Sequence, residues 1–325
     1  MTILVTGGCG FIGSNFIRYV LKHYDEQVIN LDCLTYAGRL ENLIDIENDS
    51  RYVFVKGSIC NKQTVREVIK KYKPDQIVNF AAESHVDRSI KDSSAFLHTN
   101  VLGTVNLLDA VKELDPTIRF HHISTDEVYG SLGSYDSPFT EETPYDPRSP
   151  YSASKAASDH FVQAYHETHG LDTVITNCSN NYGPYQYPEK LIPTVITRAM
   201  VHEKVPVYGN GMNIRDWLYV EDHCSAIDIV LRLGTSGQKY NIGGDSPLPN
   251  MEVVTRILEK MGLDISKHIK YVTDRKGHDF RYDIDSSKMR REFDWKPAIG
   301  FDEGIDRTIH WYRNNLDWLK SVTRN

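Results

Sequence analysis

The segment that most limits how this chain can fold is Thr6-Gly7-Gly8-Cys9-Gly10-Phe11-Ile12-Gly13. It follows a short apolar strand, Ile3-Leu4-Val5, and leads into a helical pattern through Phe16, Ile17, Val20 and Leu21. A second apolar run, Val28-Ile29-Asn30-Leu31, ends at Asp32. Glycines at 7, 10 and 13 permit a tight turn and let backbone amides approach a pyrophosphate. The helix that follows offers its unpaired N–H groups and its dipole to the same anion. An acid about 20 residues further on can accept hydrogen bonds from an adenosine ribose and repel a 2′-phosphate. The strand–turn–helix–strand–acid order therefore predicts a dinucleotide site that favours NAD over NADP.

Further strands follow at Tyr52-Val53-Phe54-Val55 and Gln76-Ile77-Val78-Asn79-Phe80, with a less regular one at Phe120-His121-His122-Ile123-Ser124. Helical stretches near 61–72 and 95–114 separate them. This alternation predicts an α/β fold, a Rossmann-type doubly wound parallel sheet with a smaller C-terminal substrate-binding region. We expect a dinucleotide-binding domain over 1–180, with some later segments returning to it. A mainly substrate-binding region follows over 181–325 and ends in a helix near 301–316. The formal net charge of -7 disfavours a nucleic-acid or anionic-membrane partner. Five widely spaced cysteines with no CxxC pair predict neither a disulfide framework nor a metal site. With no signal-like N-terminus and no long apolar run, a cytoplasmic protein is expected.

Two motifs bear on chemistry. Tyr151-Ser152-Ala153-Ser154-Lys155 puts a phenol and an amine on one helix face. There the ammonium is expected to lower the phenol's pKa from about 10 toward neutrality, making a base for a hydroxyl proton. Taken alone this spacing is weak evidence. It gains weight from lying downstream of the glycine turn and after a fifth strand. That strand ends in Ser124-Thr125-Asp126-Glu127-Val128-Tyr129-Gly130, at the sheet edge where ligands sit. Simple alcohol oxidation has no use for the two carboxylates. An elimination does: one group takes a carbon-bound proton while another protonates the departing oxygen.

The glycine spacing resembles the extended short-chain dehydrogenase/reductases. Thr125-Asp126-Glu127-Val128-Tyr129-Gly130 is similar to the signature of the nucleoside-diphosphate-sugar 4,6-dehydratases, in particular the dTDP-glucose 4,6-dehydratases. So are Phe80-Ala81-Ala82-Glu83-Ser84-His85, Ser179-Asn180-Asn181-Tyr182-Gly183-Pro184 and Ile214-Arg215-Asp216-Trp217. The resemblance runs to about residue 300. It implies a retained NAD and an internal redox cycle with loss of water, in which Thr125, Asp126, Glu127, Tyr151 and Lys155 are catalytic. In that scheme Tyr151 removes the sugar O4 proton, Glu127 the C5 proton, and Asp126 protonates the departing C6 hydroxyl. It also implies that the cofactor lies among Gly7, Gly10, Phe11, Ile12, Gly13, Asp32, Cys33, Leu34, Thr35, Ser58, Ile59, Phe80, Ala81, Ala82, Thr99, Tyr151, Lys155 and Asn181. Ser84, Thr125, Asn180, Glu189, Lys190, Arg215, Asn250, Arg275 and His278 are the implied contacts of the nucleotide sugar. A homodimer joined near 95–114 and 151–169, serving deoxysugar biosynthesis such as that of rhamnose, is implied as well. Ser58, Lys276 and Phe280 depart from the family's usual residues. A nucleotide-sugar 4-epimerase, a 4,6-dehydratase for another nucleotide sugar and a catalytically silent NAD-binding protein are the alternatives.

Overall fold

The computed structural model describes residues 1–274 and 277–323. Its strands are β1 (Thr2–Thr6), β2 (Gln27–Asp32), β3 (Tyr52–Lys56), β4 (Gln76–Asn79), β5 (Arg119–Thr125), β6 (Thr173–Cys178), β7 (Asn180–Tyr182), β8 (Val205–Tyr208), β9 (Ile214–Tyr219), β10 (Lys239–Ile242), β11 (Pro247–Pro249) and β12 (Ile269–Val272). Seven form one parallel sheet in the order β10-β6-β5-β4-β1-β2-β3. The fold is the Rossmann-type doubly wound sheet expected from the alternation.

Both faces of that sheet are covered, which explains why its strands read as nearly continuous apolar runs. Successive side chains of β1 point to opposite sides. Leu4 packs with Ile29, Ile77 and Phe120 against Val65, Leu107 and Val162, from the helices Lys62–Tyr72, Thr104–Leu114 and Pro150–His169. Ile3 and Val5 pack instead with Phe16, Ile17 and Val20 of helix Phe11–His23 and with Cys224, Ile227 and Leu231 of helix Val220–Leu233. The chain winds one way from β1 to β3 and the other way from β4 onward. The crevice at the carboxyl ends of β1 and β4 lies at that reversal, where open α/β sheets bind ligands.

A second core joins Ile192, Val195, Trp217, Val254, Ile257, Ile305 and Tyr312. It carries a small sheet, β11-β9-β7, and the pair β12-β8. The helix expected near 301–316 is Phe301–Asn314, and a further helix, Leu316–Thr323, follows it. The helical stretch expected near 95–114 is not uniform: Leu97–Gly103 is π-helical and only then does Thr104–Leu114 become α-helical. Wide turns of this kind collect at functional sites. Inside this one, the side chain of Asn100 clamps the Glu83 backbone through bonds of 2.8 and 2.9 Å and donates to Ser154 Oγ at 2.8 Å.

Candidate active site

A cleft of about 560 Å³ runs along the carboxyl ends of the strands. At one end Gly7 adopts φ +68°, and a Cβ there would lie 2.6 Å from the backbone nitrogen of Ala81. A Cβ at Gly13 would meet the Gly7 carbonyl oxygen at 2.6 Å. The turn is thus closed to side chains on both counts. Helix Phe11–His23 starts from Gly10, which has no side chain to cap it. Its first N–H groups face the cleft, the arrangement that accommodates a phosphate. Asp32 is buried. Its Oδ2 accepts from Cys9 N–H at 2.9 Å and its Oδ1 from Leu34 N–H at 2.7 Å. These bonds hold the carboxylate at the end of β2 while burial raises its pKa.

Gly7, Gly10, Phe11, Ile12 and Gly13 line this end of the cleft, as do Asp32, Cys33, Thr35, Ser58 and Ile59. Phe80, Ala81, Ala82, Thr99 and Asn181 close it from the β4 side and from beyond β6. Leu34 is the exception. Its φ of 58° follows the bond to Asp32, and its side chain packs against the apolar cluster around helix Phe11–His23 rather than lining the cleft. Asn181 is fixed from behind by the fully buried His223, whose Nδ1 lies 2.8 Å from Asn181 Oδ1.

The middle of the cleft holds Thr125, Asp126, Glu127, Tyr151 and Lys155. Thr125 ends β5 and caps the short helical turn Asp126–Tyr129, its Oγ1 accepting from Glu127 N–H at 3.3 Å. The same hydroxyl donates to Asp126 Oδ1 at 3.2 Å. Asp126 is 2% exposed, and its Oδ2 is buried without a hydrogen-bond partner. Burial first, and then the neighbouring Glu127 and Asp216, push its pKa well above the usual carboxylate range. Burial therefore favours the protonated carboxyl of Asp126, whose Oδ2 is unpaired.

Tyr151 sits in the first turn of helix Pro150–His169. Ser149 and Ser152 form a capping box there, and Pro150 opens the helix. Lys155 is one turn on and buried; its Nζ donates to Ile123 O at 2.7 Å. Burial lowers its pKa to about 8. The phenol departs from the sequence expectation. Burial raises its pKa well above 10, and Glu127 adds to the rise. Burial thus favours the protonated phenol of Tyr151 in the protein alone, where the Lys155 amine is engaged with a backbone carbonyl.

At the other end, Arg215 is 7% exposed and forms no salt bridge among the described residues. Its guanidinium donates to the carbonyls of Ile214 at 2.6 Å and Asp279 at 3.0 Å and stacks 4.1 Å from the Tyr282 ring centroid. A buried cation held by backbone carbonyls and a ring rather than by a close ion pair favours an anionic ligand. Asn180, Asn250 and His278 share this cleft, and Asn180 Oδ1 and Asn250 Oδ1 are buried and unpartnered. Arg275 lies outside the described residues. Ser84, Glu189 and Lys190 border the cleft between its two ends. Glu189 accepts from Tyr36 OH at 2.8 Å and lies 3.5 Å from His85 Nε2, while Lys190 Nζ donates to Ser84 O at 2.9 Å.

Sequence reasoning passed over His122, Asp159, Asn100, His223 and Tyr282. Asp159 had a signal: it continues the stripe of Tyr151 and Lys155 at four-residue spacing. His122 alternates with Ser124 along β5. Nothing local marked Tyr282 or His223, whose partners lie 67 and 42 positions away in the chain.

The family model described as GDP-mannose 4,6 dehydratase matches residues 4–308. The dTDP-glucose 4,6-dehydratase of Xanthomonas campestris pv. campestris (strain B100) is 50% identical over 337 residues, covering 99% of this chain and 95% of that protein. Among solved structures, dTDP-glucose 4,6-dehydratase from Bacillus anthracis in complex with NAD superposes with a TM-score of 0.93 at 51% identity, covering 99% of this chain and 100% of that one. The enzyme of the same name from Streptomyces venezuelae, solved with NAD bound, gives a TM-score of 0.95 at 46% identity over 99% and 100% of the two chains.

Proposed function

The chain belongs to the dTDP-glucose 4,6-dehydratase family, and on that premise we propose that it converts dTDP-glucose to dTDP-4-keto-6-deoxyglucose with a retained NAD. The uncapped helix N-terminus, the glycine turn that excludes a Cβ and the acid ending β2 fit the dinucleotide. When bound, NAD supplies the reversible oxidation at sugar C4 and the matching reduction at C6. The protein supplies the proton transfers. Tyr151 takes the O4 proton, with Lys155 one helical turn on along the same face. The resulting ketone acidifies the C5 proton, which Glu127 accepts. Asp126, already protonated, gives its proton to the leaving C6 oxygen. Thr125 orients the sugar beside Tyr151, and Arg215 meets the diphosphate with its planar fork.

The observation that carries this reading is Asp126, a buried carboxylic acid with an unpartnered oxygen in the same cleft as Tyr151. A 4-epimerase has no leaving hydroxyl to protonate. The test is incubation with dTDP-glucose, reading the alkali-induced absorbance of a 4-keto-6-deoxy product. A signal with dTDP-glucose is expected. Signal only with a CDP-, GDP- or UDP-sugar would overturn the substrate assignment.

We further propose that residues 1–180 chiefly hold the cofactor and 181–325 chiefly the nucleotide sugar, with Helix Val220–Leu233 and β10 returning to the main sheet. We also propose a homodimer. Phe96, Leu107 and Leu108 are buried within the chain, whereas Leu97, Leu102 and Phe161 are 55%, 42% and 41% exposed on the helical segments named above. Sedimentation analysis should show a dimer that Phe161→Glu weakens. Five free thiols fit a cytoplasmic setting, and no helix among the described residues is long and apolar enough to cross a membrane.

A further inference from the structure

Behind Lys155 lies a buried polar set that the proton transfers above leave unused. Thr6 Oγ1 donates to Asn79 Oδ1 at 2.6 Å, so the amide side of Asn79 faces His122 Nδ1 at 3.2 Å as a donor. His122 is fully buried, and burial with the nearby Lys155 lowers its pKa well below the usual value. It is therefore neutral, with Nδ1 accepting and its hydrogen on Nε2. Nε2 faces Ser158 Oγ at 3.1 Å, Lys155 Nζ at 3.3 Å and Asp159 Oδ1 at 3.4 Å. Ser158 Oγ donates to Lys155 O at 2.8 Å, which leaves it free to accept from Nε2–H.

Asp159 is divided. Its Oδ2 accepts from Ser124 Oγ at 2.8 Å, Tyr145 OH at 3.0 Å and Asn177 Nδ2 at 3.3 Å. Its Oδ1 is buried with no hydrogen bond. Lys155 and Asp159 are four residues apart on one helix, the spacing at which opposite charges pair directly. Here both converge on the edge of one imidazole, and their charged atoms make no direct ion pair.

We propose that His122 and Asp159 are positioning residues for Lys155: the imidazole blocks collapse of the ammonium onto Asp159, and the carboxylate stabilises that ammonium at one remove. The charge is thereby held at the Ile123 carbonyl, at the wall of the cleft, instead of being neutralised by Asp159. This rests on reading Tyr151 and Lys155 as the base pair of the proposed reaction. Burial lowers the Lys155 pKa, and Asp159 and the Cys178 thiol of β6 oppose that. The other titratable groups around the pair are Tyr151 on the same helix, His121 of β5, Tyr129 and Tyr145 beside Asp159, and Lys239 of β10.

The two residues then act in opposite senses. Asp159→Asn removes the stabilising charge, so Lys155 loses its proton at lower pH. His122→Asn opens the space for a direct pair, so Lys155 holds its proton to higher pH while leaving the Ile123 carbonyl. The experiment measures kcat and KM for dTDP-glucose from about pH 6 to 10 in the holoenzyme and both variants. It also measures the pH dependence of NAD dissociation by fluorescence. The alkaline limb should move down by about one pH unit in Asp159→Asn and up by about one in His122→Asn. In His122→Asn, kcat should fall about tenfold with KM within about twofold. Limbs that stay in place, or that move in the same direction in both folded variants, would overturn the proposal. If Asp159→Asn fails to fold, the upward shift in His122→Asn decides alone. Should the wild type fail to convert dTDP-glucose, the proposed function falls; the opposite shifts in NAD dissociation still test the placement of Lys155.

Discussion

The two ends of the cleft are built from different materials. The end beneath Gly7 and Asp32 is made of backbone: a turn no side chain can enter, an uncapped helix, and a carboxylate pinned by two N–H groups. The end around Arg215 is made of side chains brought together from β9, helix Asn250–Lys260 and the segment 277–282. A backbone site tolerates changes of side chain and fails when a glycine is lost. A site of side chains keeps its fold through most substitutions and changes what it binds. Between them lies Asp126, at the tip of a main-sheet strand, where the carboxylic acid depends on both a fixed turn and a dry environment.

The variants that sharpen this contrast follow in order of effect. Asp126→Asn removes the transferable proton but keeps the shape, so turnover should drop by about 10²–10⁴-fold while oxidation at C4 persists. Unchanged product formation by absorbance would refute its role. Gly7→Ala should abolish retention of NAD on gel filtration and destabilise the fold by about 1–3 kcal/mol in denaturant titrations, since the left-handed turn is strained for alanine even before the clash with Ala81. Arg215→Lys leaves the charge but loses the planar fork. KM for dTDP-glucose should rise about tenfold, equivalent to about 1.4 kcal/mol, with little change in NAD content. If NAD binding fell as much as sugar binding, the two ends would not be separable.

Smaller effects concern stability and affinity. The pKa of Asp126 is raised in the folded chain, so the native state binds that proton more tightly than the unfolded one. Its stabilising contribution is present in acid, below the unfolded value near 3.8, and is lost as pH rises through the folded value. Asp126→Asn should therefore have a Tm at or above that of the wild type, with the difference growing from about pH 4 upward. A constant or shrinking difference in calorimetry would count against the raised pKa. Ser58, which lines the cleft at the same end as Gly7 and Asp32, should be replaceable by Asp with a gain of only about two- to threefold in NAD affinity, measured by fluorescence titration.

The same contrast decides what was legible in the sequence. Glycine spacing and the acid ending β2 report a local backbone requirement, so the fold and the closed turn at Gly7 could be read from a few dozen residues. Tyr151 and Lys155 were legible as a helical pair, and Asp126 and Glu127 as an acid pair at a strand end. Their pKa directions were not, because those depend on burial by distant elements. The phenol of Tyr151 was expected to be lowered and is raised; the sequence shows its neighbour four residues on but not the carbonyl of Ile123 that takes the amine. Arg215 reached the site list through resemblance alone. Its partners, Asp279 and Tyr282, are more than 60 residues away.

One architectural detail bears on how such an enzyme can be altered as a whole. The chain leaves the main sheet after β6, builds much of the second core, and then returns to lay β10 beside β6, with Ile242 opposite Cys178. Helix Val220–Leu233 comes back as well, to cover β1. The two halves are therefore sewn together rather than joined end to end. A gene cut at residue 180 would leave β6 as a bare edge with Val174 uncovered. Changes aimed at the Arg215 end of the cleft must leave these returning elements in place.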